Sequence, residues 1–246
     1  MTWPRSGNEP AALAADGVVA LGEVIAAAEL PALRAAYDAI IVDGVRSEFG
    51  VIVHDPWRHV PALAALLPRL GPLAAALTGT DEIILFHDHL IAKLPGGGGV
   101  PWHQDYSYLP LDRPDGLTMW ITLDDAGLDD GCLSYVPGTH ELGERQAQWG
   151  MVGDDDPRAR LPPLEPARLH DARPVEVTAG GALAHHTLVW HSSGANTSGR
   201  PRRAWALSWV SPSARWLPSH APHPRTAITA PPAGAPLDDD LPRFAR

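Results

Sequence analysis

The chain has 246 residues, 45% of them hydrophobic and 20% charged, a balance that supports one substantial core and excludes a disordered polymer. Its formal charge of -10 argues against a nucleic-acid partner, which needs a concentrated basic face, and against an anionic membrane, although a local arginine cluster could still bind one small anion. A single cysteine, Cys132, excludes an intrachain disulfide and a cysteine-based zinc site.

The first ten residues lack an apolar signal core, and the apolar stretch at 61–78 is interrupted by Pro68, Arg69 and Gly71, so a cytoplasmic protein without a membrane span is expected. Asp16-Gly17 is a turn signal before the short apolar strand 18–21. Across 28–42, Leu30, Leu33, Tyr37 and Ile40/Ile41 follow the helical period, with Gly44 as the stop. A second helical region spans 61–77 and should break near Gly71. These helices read as packing elements laid on a sheet.

From Asp81 onward the pattern becomes that of strands. Residues 83–92 read as one strand, the run Pro95 with Gly96 to Gly99 as a flexible loop, and a strand edge carrying His103 follows. In 117–123, Thr118, Trp120 and Thr122 share one face, while Leu117, Met119, Ile121 and Leu123 share the other. Residues 131–138 form a strand ending in a turn, and further strands are expected at 175–178, 182–190 and 203–210. The polar stretch 139–173 between them is long for a compact domain and reads as a lid, since Trp149 and Met151 suit no purely solvated loop. After Trp216 the Pro- and His-rich tail, 213–246, should be irregular. Short strands separated by Gly, Pro and Asp turns give a mainly β chain, a barrel or jelly roll, read as one domain over 1–246 with a core at about 10–212.

Chemistry concentrates in Pro101-Trp102-His103-Gln104-Asp105. On an extended strand alternate side chains share a face, so His103 and Asp105 present an imidazole and a carboxylate to one point while Gln104 turns away. His191, on a distant strand, completes a two-histidine, one-carboxylate face that leaves metal positions open and suits non-haem Fe(II) handling dioxygen. Arg202 follows His191 by eleven positions, a spacing that lets a hairpin return a guanidinium deeper into the barrel, where it could grip the far end of a dicarboxylate.

With Asp130 to His140 and the run His191-Ser192-Ser193-Gly194-Ala195-Asn196, these segments resemble the phytanoyl-CoA dioxygenase family of Fe(II)- and 2-oxoglutarate-dependent oxygenases, over about residues 10–212. The resemblance implies a double-stranded β-helix, a cupin-like jelly roll with flanking N-terminal helices. It implies Fe(II) on His103, Asp105 and His191, with 2-oxoglutarate and O2 as cosubstrates. Arg202 would pair with the distal carboxylate of 2-oxoglutarate, and Gln104, Trp120, Ser193 and His89 would line the same pocket. The implied outcome is succinate, carbon dioxide and an oxidised substrate C–H bond. Halogenating relatives replace the metal-binding carboxylate with a small residue, so Asp105 favours hydroxylation, desaturation, epimerisation or ring formation. Gly180-Gly181 departs from the Gly-Asp that the family often carries, and reads as a turn variant.

Tyr106, Tyr108 and Trp149 are candidate substrate-wall residues. His87 and His89 form a rival metal pair that lacks a third ligand in family order. His186 is expected to orient or pack near the site, His185 to point the opposite way, and Lys93 to be a solvated strand-end residue. Trp205, Leu207 and Trp209 share the face of Arg203 and should pack on helices, leaving Ala204, Ala206 and Ser208 beside Arg202. The substrate is expected to be a small molecule, from natural-product or amino-acid chemistry. The alternative is a non-catalytic metal-binding β-barrel; a zinc hydrolase is disfavoured because no positioned base or nucleophile accompanies the ligands.

Overall fold

The computed structural model describes residues 7–146, 157–221, 223 and 230–246. Helix α1 (Glu9–Asp16) starts where the Asn8 side chain accepts from the Ala11 amide, and leads into β1 (Val18–Glu23). Helix α2 (Leu30–Ile40) buries Leu30, Leu33 and Tyr37, the positions that carry its period. Next come β2 (Val45–Ser47) and β3 (Gly50–His54), which the sequence pattern did not announce. The second helical region is two helices, α3 (Pro61–Ala64) and α4 (Leu67–Thr78). Their junction lies at Ala65 and Leu66, not at Gly71. Pro68 sets it, since proline is welcome in a first turn, where no earlier carbonyl needs its amide.

The remaining strands are β4 (Glu82–Lys93), β5 (Val100–His103), β6 (Gly116–Thr122), β7 (Leu133–Val136), β8 (Arg173–Val175), β9 (Gly181–His186), β10 (Trp190–Ser193), β11 (Arg202–Val210) and β12 (Arg243–Ala245). They form two antiparallel sheets, one in the order β1-β9-β6-β11-β4-β3-β2 with β12 also on β4, the other β5-β10-β7-β8. The sheets face each other as a jelly roll. Between them lie Trp120, Leu183, Ala204 and Ala206 of the large sheet and Leu133, Tyr135 and Val175 of the small one. The opposite face of the large sheet carries Leu117, Met119, Ile121, Trp205, Leu207 and Trp209 against the helices, as the alternation predicts.

Two expectations change. The run 182–190 is not one strand: the chain turns after His186, where the Val189 amide bonds the His186 carbonyl at 3.0 Å, and passes from the large sheet to the small one. The tail also contributes order. Trp216, Leu237 and Leu241 join Ile84 and Phe86 in a buried cluster, and β12 pairs with the start of β4.

Gly71 lies inside α4, and a Cβ there would stand 2.2 Å from Phe244 Cγ, so the glycine is the socket into which the β12 aromatic seats. Gly71→Ala should therefore lower stability by about 1–2 kcal/mol through overpacking, although alanine is the better helix former by about 1 kcal/mol. A lower urea midpoint is expected; a higher one would show that Phe244 gives way freely.

Candidate metal centre

All three predicted ligands converge. One ligand atom from each of His103, Asp105 and His191 lies within 4.8 Å of the other two, and among the described residues this is the group that brings three such atoms together. His103 closes β5 and sits opposite His191 in register on β10, with ring centroids 4.1 Å apart. Asp105 lies just beyond the strand, at the first position of a 3-10 turn (Asp105–Tyr108), and Gln104 supplies the last extended step.

The hydrogen bonds assign each nitrogen. His103 Nδ1 donates to the Pro101 carbonyl at 2.9 Å and His191 Nδ1 to the Val189 carbonyl at 3.1 Å, so both Nε2 lone pairs point inward. They meet Asp105 Oδ1 at 3.6 and 3.4 Å. Asp105 Oδ2 is engaged from behind, accepting from Thr118 Oγ1 at 2.6 Å and from His185 Nε2 at 3.0 Å. His185 Nδ1 in turn accepts from the Tyr135 hydroxyl at 3.0 Å. Burial opposes ionisation of Asp105, but His191 and the hydrogen bonds from its neighbours overcome it and hold the carboxyl well below the usual range. Burial, then His191, lowers His103. The site therefore offers one carboxylate oxygen and two imidazole Nε2 atoms, the donor set that a divalent transition metal takes.

The roles of the two adjacent histidines are the reverse of those expected. His185 is the residue that orients Asp105, while His186 faces outward, 5.3 Å from the His140 ring, and is pushed down to about 4 by burial. Counting back from His191 in steps of two reaches His185 after six residues, so alternation itself favours His185, although the chain changes sheet after His186.

Arg202 and Lys93 are directly opposed in the β11–β4 ladder and are 2% and 0% exposed. Lys93 is thus no solvated strand end. Its Nζ donates to Ser193 Oγ at 2.8 Å and to the Gly194 carbonyl at 2.5 Å. Arg202 donates one bond, to the Gly131 carbonyl at 2.8 Å; its Nε is buried without a partner, and its guanidinium lies 5.2 Å from the Trp120 ring. Burial, then Arg202, pushes Lys93 down to about 7, and burial pushes Arg202 down to about 10. A Cβ on Gly131, whose φ is +71°, would stand 2.4 Å from the Gly194 carbonyl oxygen and 3.0 Å from Lys93 Cδ, so glycine is needed for this loop to cover the two cations.

Other predicted residues fall differently. Gln104 spends both amide donors on the Leu188 and Gly143 carbonyls and accepts from the Arg145 amide, clamping the chain beyond the site. Tyr106 donates to the Leu111 carbonyl and belongs to the cluster around Trp216. Tyr108 lies 6.0 Å from the His103 ring, and Trp149 is outside the described residues. His89 is on the inner face of β4, pushed down to about 3 by burial, then by His87 and His54. Its rival-pair partner His87 is engaged elsewhere, with Asp55 Oδ1 at 3.1 Å and His54 Nδ1 at 3.2 Å.

His185→Ala should weaken Fe(II) binding about 10–100-fold by freeing Asp105, and Thr118→Val should act in the same direction. His186→Ala is the matched control and should leave Fe(II) affinity unchanged in an equilibrium titration. Equal losses from both histidines would refute the assignment.

The family model for Phytanoyl-CoA dioxygenase (PhyH) matches residues 13–204. The rat phytanoyl-CoA dioxygenase domain-containing protein 1 is 31% identical over 188 residues, covering 73% of this chain and 62% of that protein, so this chain spans less than two thirds of its length. The epimerase SnoN in complex with Fe3+, alpha ketoglutarate and nogalamycin RO superimposes with a TM-score of 0.82 at 25% identity, covering 96% of this chain and 97% of that one. EvdO2 from Micromonospora carbonacea var. aurantiaca, complexed with 2-oxoglutarate, gives a TM-score of 0.70 at 26% identity over 92% of this chain and 97% of that one. The match over residues 13–204, with the jelly roll and its ligand triad, places this chain in the phytanoyl-CoA dioxygenase family.

Proposed function

We propose that this protein is an Fe(II)- and 2-oxoglutarate-dependent dioxygenase. It inserts oxygen into, or otherwise oxidises, a C–H bond of a small molecule, while 2-oxoglutarate and O2 become succinate and carbon dioxide. One observation carries the reading: a two-histidine, one-carboxylate face opens onto the same barrel interior as a buried arginine that no carboxylate neutralises among the described residues. His103, Asp105 and His191 would hold the iron, which supplies dioxygen activation when bound.

The chain's own part is positioning and exclusion of water. Arg202 would bind the distal carboxylate of 2-oxoglutarate with unspent N–H donors, against the face of Trp120. Ala204 and Ala206 share the inner face of β11 between Arg202 and Ser208, and their small side chains leave room for a keto acid. Ser193 is the next same-face position after His191, so metal ligand and carboxylate grip lie along one short strand. His89, held neutral, adds a polar wall.

The substrate would approach past Tyr108, on the His103 side. A lid role for 139–173 is supported by Arg158, which donates to the Ser107 carbonyl at 2.7 Å and ties the returning limb to the turn that carries Asp105. SnoN, crystallised with nogalamycin RO, supports a small substrate of natural-product type. Among the described residues no helix is long and apolar enough to cross a membrane.

Anaerobic addition of 2-oxoglutarate to the Fe(II)-loaded protein should give a visible charge-transfer band, and admission of oxygen should yield succinate. His191→Ala should abolish both. A band without oxygen-dependent succinate would instead identify a binding protein, and absence of the band in the unaltered protein would remove the reading altogether.

A further inference from the structure

Lys93 takes no part in holding the metal, yet its burial carries a desolvation cost. An ammonium removed from water needs a counter-charge or a full set of acceptors. Lys93 has neither: two of its three N–H bonds are used, both on neutral oxygens, and no carboxylate forms an ion pair with it or with Arg202 among the described residues. The second cation makes matters worse, because the β4–β11 register sets Arg202 directly across from it. The loop 194–196 does not relieve the repulsion. Its Asn196 bonds the Lys93 carbonyl at 2.8 Å and fixes the backbone, leaving the ammonium on the inner face.

Two like charges side by side in the buried interior destabilise the empty protein, and an anion joining them would relieve the repulsion. We propose that Lys93 is a second cationic contact for the distal carboxylate of the keto acid, acting with Arg202 and the Ser193 hydroxyl, and that it makes the site selective for a dicarboxylate over a monocarboxylate of equal length. This rests on the reading of the site as a 2-oxoglutarate pocket. Ser193 Oγ already accepts from Lys93, so its own O–H is free to donate to a carboxylate oxygen. Lys93 retains one N–H, and Arg202 retains its buried Nε–H. Three donors from β4, β10 and β11 then surround one carboxylate end. The rise along β10 puts Ser193 about 6.6 Å beyond His191, a span that fits a five-carbon keto acid chelated at its other end.

The test uses the full chain loaded with Fe(II) under anaerobic conditions, titrated separately with 2-oxoglutarate and with 2-oxopentanoate, which keeps the chain length and keto acid but lacks the distal carboxylate. Dissociation constants are read by calorimetry and by the charge-transfer band. Lys93→Met should weaken 2-oxoglutarate binding about tenfold, equivalent to about 1.4 kcal/mol, and leave 2-oxopentanoate binding within about twofold. The preference for the dicarboxylate should fall by the same factor. Lys93→Arg should keep most of that preference, which separates charge from shape. Equal weakening of both keto acids by Lys93→Met would show a structural role only, and no change in either would show that Arg202 suffices; each overturns the proposal. If the unaltered protein binds neither keto acid, the cosubstrate reading fails first, and this inference fails with it.

Discussion

Asp105 divides its carboxylate between two duties, and the site depends on that division. Oδ2 is held by Thr118 and His185 of the large sheet, while Oδ1 turns toward the two imidazoles carried by the small sheet. A carboxylate free to rotate would present either oxygen and would lose entropy on taking a metal. One pinned by two donors has already lost it. The histidines are fixed by the same logic, each through an Nδ1–H bond to a carbonyl two residues earlier. Because the backbone itself selects the tautomer, the metal-facing geometry needs no further side chain on that side.

The inner face is organised from one end to the other. The row His87, Ser208, Thr118 and His185 crosses β4, β11, β6 and β9 at the level of Asp105, and the Lys93–Arg202 pair lies at the far end of β4 and β11. Between them the β11 side chains are alanines. The barrel thus runs from a metal end with one carboxylate to a doubly cationic end, a polarity suited to a ligand that chelates at one terminus and is anionic at the other.

Much of this was legible in the chain. The pairing of His103 with Asp105 and the two faces of 117–123 followed from period-2 alternation, which holds as long as the backbone stays extended. His191 and Arg202 were placed instead by the order and spacing of motifs that carry the family resemblance. The exchange of roles between His185 and His186 is no failure of alternation, which carried back six residues from His191 reaches His185; what the sequence does not mark is the three-residue turn between them. Lys93 was hidden for another reason: a lysine followed by Leu94, Pro95 and a glycine run looks like a solvated strand end, and only the fold shows loops 131 and 194–196 closing over it. The helix junction before Pro68 and the seating of Phe244 on Gly71 required contacts between segments far apart in sequence. Gln104 sits between two ligands, yet its amide is spent on backbone carbonyls, a commitment that no local pattern encodes.

The division of labour between the sheets has a mechanical consequence. Every direct ligand belongs to the small sheet or the turn leaving it, whereas both groups that hold Asp105 from behind belong to the large one. An ion drawn to the triad pulls on Asp105, and Asp105 pulls on Thr118 and His185, so the centre acts as a rivet through the sandwich. Whatever free energy the ion gains by binding the closed barrel is withheld from any state in which the two layers part. Resistance of the folded chain to heat and proteases should accordingly track how fully the rivet is set.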